Sequence, residues 1–222
     1  MPNGFIVNIM KRIRTNPSVI AYGLYLYFNS RSYRFAGKSL EPIIKRTHVS
    51  IWKWVQKYSI LADRFVIGKR KVQKIFVDET LLKINGQHYW LWLAYEPNLH
   101  VCLLFYSSTE RTIFVCYQFF KQLRTKFGNK PIYTDGAHWY NDACRWLRLK
   151  HIVYGTELKN IMERFIQHIK DRTECFDDNF PCKSHACDRK HICNWLRMYI
   201  LYLHMKMDRI RFMDFVTTNS LS

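Results

Sequence analysis

Lys74-Ile75-Phe76-Val77-Asp78-Glu79-Thr80 is an apolar strand signature that runs straight into an acid. Ile, Phe and Val fit a buried, pleated surface. Asp is almost never buried without a partner, so an acid at the inner end of such a strand asks for a cation. Outward from it, residues 72–84 read as one strand, kinked after Asp78. Asn85-Gly86 is a hairpin turn signal, and 87–95 alternates as a second strand. Glu96-Pro97-Asn98 turns the chain into a third at 100–107. A helix over 111–127 follows, capped by Ser108 or Thr109 and closed by Gly128. Then come a strand at 131–134, a helix at 137–149, a strand at 151–154 and a helix at 158–172. The order β-β-β-α-β-α-β-α is α/β (α+β): an antiparallel meander continued by parallel units. A loop over 175–189, a helix over 191–207 and a frayed polar tail complete the chain.

The first third reads differently. The 222 residues carry a formal charge of +18, with 48% hydrophobic and 16% aromatic residues. That composition supports a real core and excludes wholesale disorder; the charge calls for a polyanionic partner. Residues 1–74 hold 15 Lys+Arg against Glu41 and Asp63, a net +13, which leaves +5 for the remainder. A basic lead-in, Lys11-Arg12-Ile13-Arg14, precedes Pro17, which suits a first helical turn capped by Thr15 or Asn16. A short apolar helix follows, in which Gly23 costs some stability. A second helix spans 32–40. In the third, Ile51, Trp54, Val55 and Tyr58 share one face and leave His48, Lys53, Gln56 and Lys57 outward. Three short helices with a basic final face read as a helix-turn-helix, favoured over a plain helical cap on charge and spacing. The expected organisation is a DNA-binding domain at 1–60, a basic linker at 61–74, a catalytic core at 75–175, and a C-terminal loop and helix at 176–222 packed on that core.

Three acids stand out. Asp78 and Asp135 each end a strand, and Glu163 lies on a helix; 56 residues separate the first two and 27 the last two. Carboxylate oxygens are hard donors suited to Mg²⁺, and a pair of such ions activates an attacking oxygen and stabilises a leaving one in phosphodiester chemistry. Singly, a strand-end Asp is a common turn residue and Glu163 an ordinary surface acid; together, in this element order, they point to catalysis.

At these residues the chain resembles the DDE transposases of insertion sequence family six, particularly the archaeal-type members. The resemblance rests on Ile75-Phe-Val-Asp-Glu-Thr80, Tyr133-Thr-Asp-Gly136 and Asn160-Ile-Met-Glu163-Arg-Phe165, and covers nearly the whole chain. It implies a ribonuclease-H-like mixed sheet behind an N-terminal three-helix helix-turn-helix domain. It also implies Asp78, Asp135 and Glu163 as catalytic metal ligands, Mg²⁺ as cofactor with Mn²⁺ as substitute, and Lys170, seven residues after Glu163, as a DNA contact. Arg34, His48, Ser50, Lys53 and Lys57 are the remaining expected DNA contacts. The implied partners are terminal inverted repeats and target DNA, engaged by a homodimer or larger assembly. Two features depart from the family pattern. The interval between Asp135 and Glu163 is shorter than usual, and Leu158-Lys159 stands where an acid-Asn pair is common. Glu157 is a nearby alternative acid, set aside because Asn160 and Lys170 register with Glu163. A catalytically inactive, transposase-derived DNA-binding protein is the alternative reading, and a metal-dependent nuclease without strand transfer a third.

Cys182, His185, Cys187, His191 and Cys193 crowd twelve residues but contain no C-x₂-C pair, so structural zinc is not expected. Cys102, Cys116 and Cys144 read as small core residues, and Trp90 and Trp92 as sheet packing. His138 and Trp139, after the Asp135 strand, are placed to line a DNA path. The odd cysteine count and the absence of a signal-like start suggest a cytoplasmic, nucleoid-associated protein. The apolar run over 19–28 is too short to cross a bilayer, and that over 89–106 is broken by Glu96-Pro97-Asn98, so no membrane partner is expected.

Overall fold

The computed structural model describes residues 15–30, 32–65, 67–176, 180, 189–205 and 209–220. The basic lead-in and Cys182, His185 and Cys187 lie outside these. The chain divides into two compact units, Met1–Phe65 with Lys190–Ser222, and Val66–Arg189.

The first unit is helical. It contains α1 (Pro17–Ser30), α2 (Tyr33–Leu40), α3 (His48–Tyr58), a 3₁₀ segment (Ser59–Arg64), α7 (Arg189–Met205) and α8 (Arg209–Ser220). Asn16 caps α1 by accepting from the Ser18 N–H at 2.9 Å. Gly23 is explained by packing: a Cβ there would meet Trp54 at 2.8 Å and Leu40 at 3.0 Å, so its cost to α1 is offset by close approach of α2 and α3. The sequence reading assigned the C-terminal helix to the sheet core. Instead, its aromatic face is taken up by α1: the Trp195 Nε1–H donates to the Tyr27 hydroxyl at 2.8 Å, and Phe28 stacks against Tyr199 and Tyr202. The tail expected to fray is helical to Ser220, which is buried. Nothing local in Arg209–Ser220 announces this helix; its stability comes from packing along α1.

The second unit is a five-stranded mixed sheet, ordered β3-β2-β1-β4-β5. The strands are β1 (Ile75–Ile84), β2 (Gln87–Glu96), β3 (Val101–Ser108), β4 (Ile132–Thr134) and β5 (His151–Val153). β1, β2 and β3 pair antiparallel, whereas β1, β4 and β5 run parallel. This is the ribonuclease-H-like order. Asn85 (φ 50°) and Gly86 (φ 75°) form the two-residue turn, as their left-handed backbone requires. β1 is not kinked after Asp78; its pairing with β2 continues without a break from Phe76 to Ile84. Helices α4 (Ile113–Phe127) and α5 (His138–Trp146) pack against Ile75, Val77 and Trp92 on one face. The cap of α4 is Thr112, not Ser108 or Thr109; the Ser108 hydroxyl accepts from Trp92 Nε1 at 2.9 Å instead. Helix α6 (Thr156–Thr173) covers the other face, burying Met162, Phe165, Ile166 and Ile169, with Phe165 stacked on Tyr95 at 4.8 Å. Cys102, Cys116 and Cys144 are buried as expected. Among the described residues no helix is long and apolar enough to cross a membrane.

Candidate active site

Strand register brings the first two acids together. Ile75 pairs with Ile132 and Phe76 with Tyr133, in parallel. The same offset carried two residues further sets Asp78 beside Asp135. Neighbouring strands lie about 4.8 Å apart, and alternation directs both side chains to the face covered by α6. The next strand continues the row. Thr134 pairs with Val153, and the Tyr154 N–H donates to the Thr134 carbonyl at 3.0 Å, so Tyr154 follows Asp135 as Asp135 follows Asp78.

The backbone around each acid is fixed locally. Asp78 Oδ1 accepts from the Glu79 N–H at 2.8 Å. Asp135 Oδ1 accepts from the Ala137 N–H at 3.1 Å, which turns the chain into α5. Gly136 has φ 91°, where a side chain is strained, and a Cβ there would meet Val153 at 3.2 Å. Behind Asp135 runs a relay of hydrogen bonds. The Gly136 N–H donates to Thr134 Oγ1 (3.1 Å), that hydroxyl shares a hydrogen bond with His151 Nε2 (2.8 Å), and His151 Nδ1 shares one with Asn141 Oδ1 (2.7 Å). This set of partners is consistent with a neutral ring, and burial lowers the His151 pKa in the same direction, with Asp135 opposing.

Glu163 is exposed on the flank of α6. Its charge, with those of Asp78, Asp135 and Glu79, falls on the Tyr154 hydroxyl, whose pKa is raised by burial first and by these carboxylates second. Asp78 and Asp135 are neighbours by strand register, and Glu163 is within electrostatic reach of the same hydroxyl. They do not close into a ready cage: among the described residues, no three His, Cys, Asp or Glu side chains are grouped to hold a metal. Like charges at short range repel, which favours such spread. The donor set of carboxylate oxygens, beside a buried hydroxyl with no partner among the described residues, fits a hard divalent cation in its chemistry. Lys170 lies two turns beyond Glu163 and lines an open groove of α6 with Gln167, Leu82 and Lys83. His191 and Cys193 sit on α7, the His191 ring 5.5 Å from that of Trp52.

The opposite face of β1 carries residues that the sequence reading missed. Glu79 points away from Asp78 into α4 and α5, with a side chain only 2% exposed. It pairs with Arg111 at 2.5 Å and accepts from the Tyr140 hydroxyl. The Arg111 guanidinium lies between the rings of Trp90 (4.7 Å) and Trp139 (4.2 Å). Trp139, expected to line a DNA path, is thus engaged by this cation. Burial pushes the Glu79 carboxyl up to about 7, with Arg111 opposing and Asp78 adding. Period-two alternation puts Glu79 on the face opposite Asp78, a signal the sequence reading did not use; its partners come from other elements.

In the helical unit Arg34, His48, Lys53 and Lys57 are exposed and Ser50 is half-buried. Gln56, read as outward with them, is not: it accepts from Asn194 Nδ2 (3.1 Å) and donates to the His191 carbonyl (3.3 Å). Helix α7 therefore closes one flank of α3 and leaves Val49, Lys53 and Lys57, spaced at i, i+4 and i+8, as its free stripe.

Residues 72–180 match a family model described as DDE domain, of the IS240 transposase type. An uncharacterised protein of Methanocaldococcus jannaschii is 26% identical over 195 residues, 87% of this chain and 89% of that protein. The transposase for insertion sequence-like element IS431mec of Staphylococcus aureus is 29% identical over 174 residues, 73% of this chain and 76% of that one. Among solved structures, the HTLV-2 integrase catalytic core in complex with magnesium aligns over 58% of this chain and 84% of that one, at 17% identity and a TM-score of 0.42. Residues 72–180 of this chain are thus a DDE domain of the IS240 transposase type, and the chain is similar over most of its length to an insertion-sequence transposase.

Proposed function

We propose that the protein binds the ends of an insertion sequence through its helical unit and cleaves and transfers DNA strands at the sheet end where Asp78 and Asp135 meet. The observation that carries this reading is the register of β1 and β4, which sets the two Asp side by side on the face that α6 covers. Asp78, Asp135 and Glu163 would hold magnesium, with manganese as a substitute. Bound there, the divalent ion supplies Lewis acidity for an attacking hydroxyl and charge neutralisation for the leaving oxygen of the phosphodiester. The chain's own residues do the rest. Arg34, His48, Ser50, Lys53 and Lys57 engage DNA from the helical unit, some through base edges and some through phosphate. Lys170, on the same helix stripe as Glu163, grips phosphate beside the reacting bond. The relay from Gly136 to Asn141 holds the turn after Asp135, so its carboxylate meets substrate in one orientation. Synapsis of two ends requires a homodimer or larger assembly, in the cytoplasm with the nucleoid.

The spread of the three carboxylates and the short interval before Glu163 favour a second reading, an inactive descendant that binds DNA only. A cleavage and strand-transfer assay on the element's own ends, in magnesium and then manganese, separates the two. Joined products that vanish in Asp78→Asn support the enzyme. End-specific binding with no cleavage in either ion supports the descendant.

A further inference from the structure

Tyr154 closes the row Asp78, Asp135, Tyr154 across three parallel strands. Its ring is stacked on Phe76, with centroids 5.7 Å apart and planes 25° from parallel, and the residue is 8% exposed. Among the described residues its hydroxyl has no hydrogen-bond partner, although a buried hydroxyl left unsatisfied is destabilising. The strand register sets Tyr154 beside Asp135 as it sets Asp135 beside Asp78. A phenol hydroxyl can donate, whereas a carboxylate only accepts.

We propose that the Tyr154 hydroxyl is a built-in donor to Asp135, orienting that carboxylate when the site takes up a divalent cation. This rests on the reading of Asp78, Asp135 and Glu163 as metal ligands. Ligating carboxylates are commonly held by an outer hydrogen bond, and loss of such a partner costs about 10- to 100-fold in metal affinity. Tyr154 is then a positioning residue, acting through Asp135. The stack on Phe76 fixes the ring without using the hydroxyl, which leaves it available at the cost of an unsatisfied group in the metal-free protein.

The test is Tyr154→Phe, which removes one oxygen and keeps the stack. In the full-length, metal-free protein the variant should unfold at the same temperature or slightly higher, because an unsatisfied group is gone. Manganese binding, followed by calorimetry, should weaken about tenfold. The magnesium concentration for half-maximal cleavage should rise by a similar factor, with activity recovered at high magnesium and the KM for DNA unchanged. Tyr133→Phe is the control; the Tyr133 ring lies against the same Phe76 ring, tilted, with centroids 5.1 Å apart, and the change should alter none of these. A lower unfolding temperature in Tyr154→Phe with manganese affinity intact would overturn the proposal and make the hydroxyl structural. Wild-type protein that binds manganese as tightly as its Tyr154→Phe variant overturns it while leaving the metal reading intact. Wild-type protein that binds no manganese overturns both.

Discussion

The two compact units meet opposite electrostatic demands. In the helical unit the charge is outside: Lys53 and Lys57 stand on a free stripe of α3, while its core is an aromatic stack in which Tyr27 and Phe28 of α1 meet Trp195, Tyr199 and Tyr202 of α7. In the sheet unit Asp78 and Asp135 stand side by side at one strand end, by the register of β1 and β4. A polyanion is attracted to the first arrangement and repelled by the second until the acids are neutralised. Under the proposed function, end recognition and chemistry fall to different residues, and the two should fail separately.

The sharpest break is Asp135→Asn. It keeps size and removes a charge from the proposed metal site. Cleavage should fall about a thousandfold, corresponding to roughly 4 kcal/mol of transition-state stabilisation. DNA affinity should hold or rise, because less negative charge faces phosphate. Glu163→Gln should behave alike, measured by gel assay of cleavage beside a binding titration. Unchanged cleavage in Glu163→Gln would remove Glu163 from the set and return attention to Glu157.

Next in size is an acid sensitivity confined to the helical unit. Burial pulls the His204 imidazole down to about 4, and its ring lies 5.0 Å from that of Phe65. A depressed histidine binds its proton more weakly folded than unfolded. Its contribution is therefore complete above the unfolded pKa near 6.5 and is lost as pH falls toward 4, up to about 3 kcal/mol in all. Unfolding of the helical unit, followed by hydrogen exchange, should become easier across that window, and His204→Leu should flatten the dependence. An unaltered pH profile in the variant would assign the acid loss to another group.

The same contrast explains what the sequence made legible. Every strand, and each of α1 to α7, follows from periodicity and turn chemistry, with ends within about three residues. The acids Asp78 and Asp135 were visible because an acid at the end of an apolar run violates the pattern around it. Tyr154 was not, because a tyrosine at a strand end violates nothing; only the register of β4 on β5 makes it a neighbour of Asp135. The role of Arg111 was hidden for the same reason, since its partners Trp90, Trp139 and Glu79 come from three elements. In the helical unit, Gln56 looked like its basic neighbours until α7, over 130 residues away, took its amide. Long-range partners are what a local pattern cannot carry.

Arg111→Lys probes the closed face of the sheet. Lysine keeps the charge opposite Glu79 but loses the planar stack between Trp90 and Trp139. The expected cost is about 1–2 kcal/mol, seen as a lower unfolding temperature of the sheet unit. End-specific DNA affinity should not move. If affinity drops while stability holds, Arg111 belongs to the DNA surface and the two faces of β1 are less distinct than drawn here.

The smallest expected effect tests the free stripe of α3. Lys53→Ala with Lys57→Ala should weaken end binding several-fold and reduce the dependence of log affinity on log salt by nearly two, since each lost phosphate contact removes about 0.9 from that slope. Stability should be nearly unchanged, because both side chains are exposed. Gln56→Ala should do the reverse. It removes the bonds to Asn194 and to the His191 carbonyl, so the helical unit should lose stability while the salt slope stays as it was. Sequence alone groups Gln56 with the two lysines; α7 divides them. A Gln56→Ala variant that loses affinity and salt dependence together, at unaltered stability, would show that this flank of α3 faces DNA after all, and the stripe would have to be redrawn through His48 and Gln56.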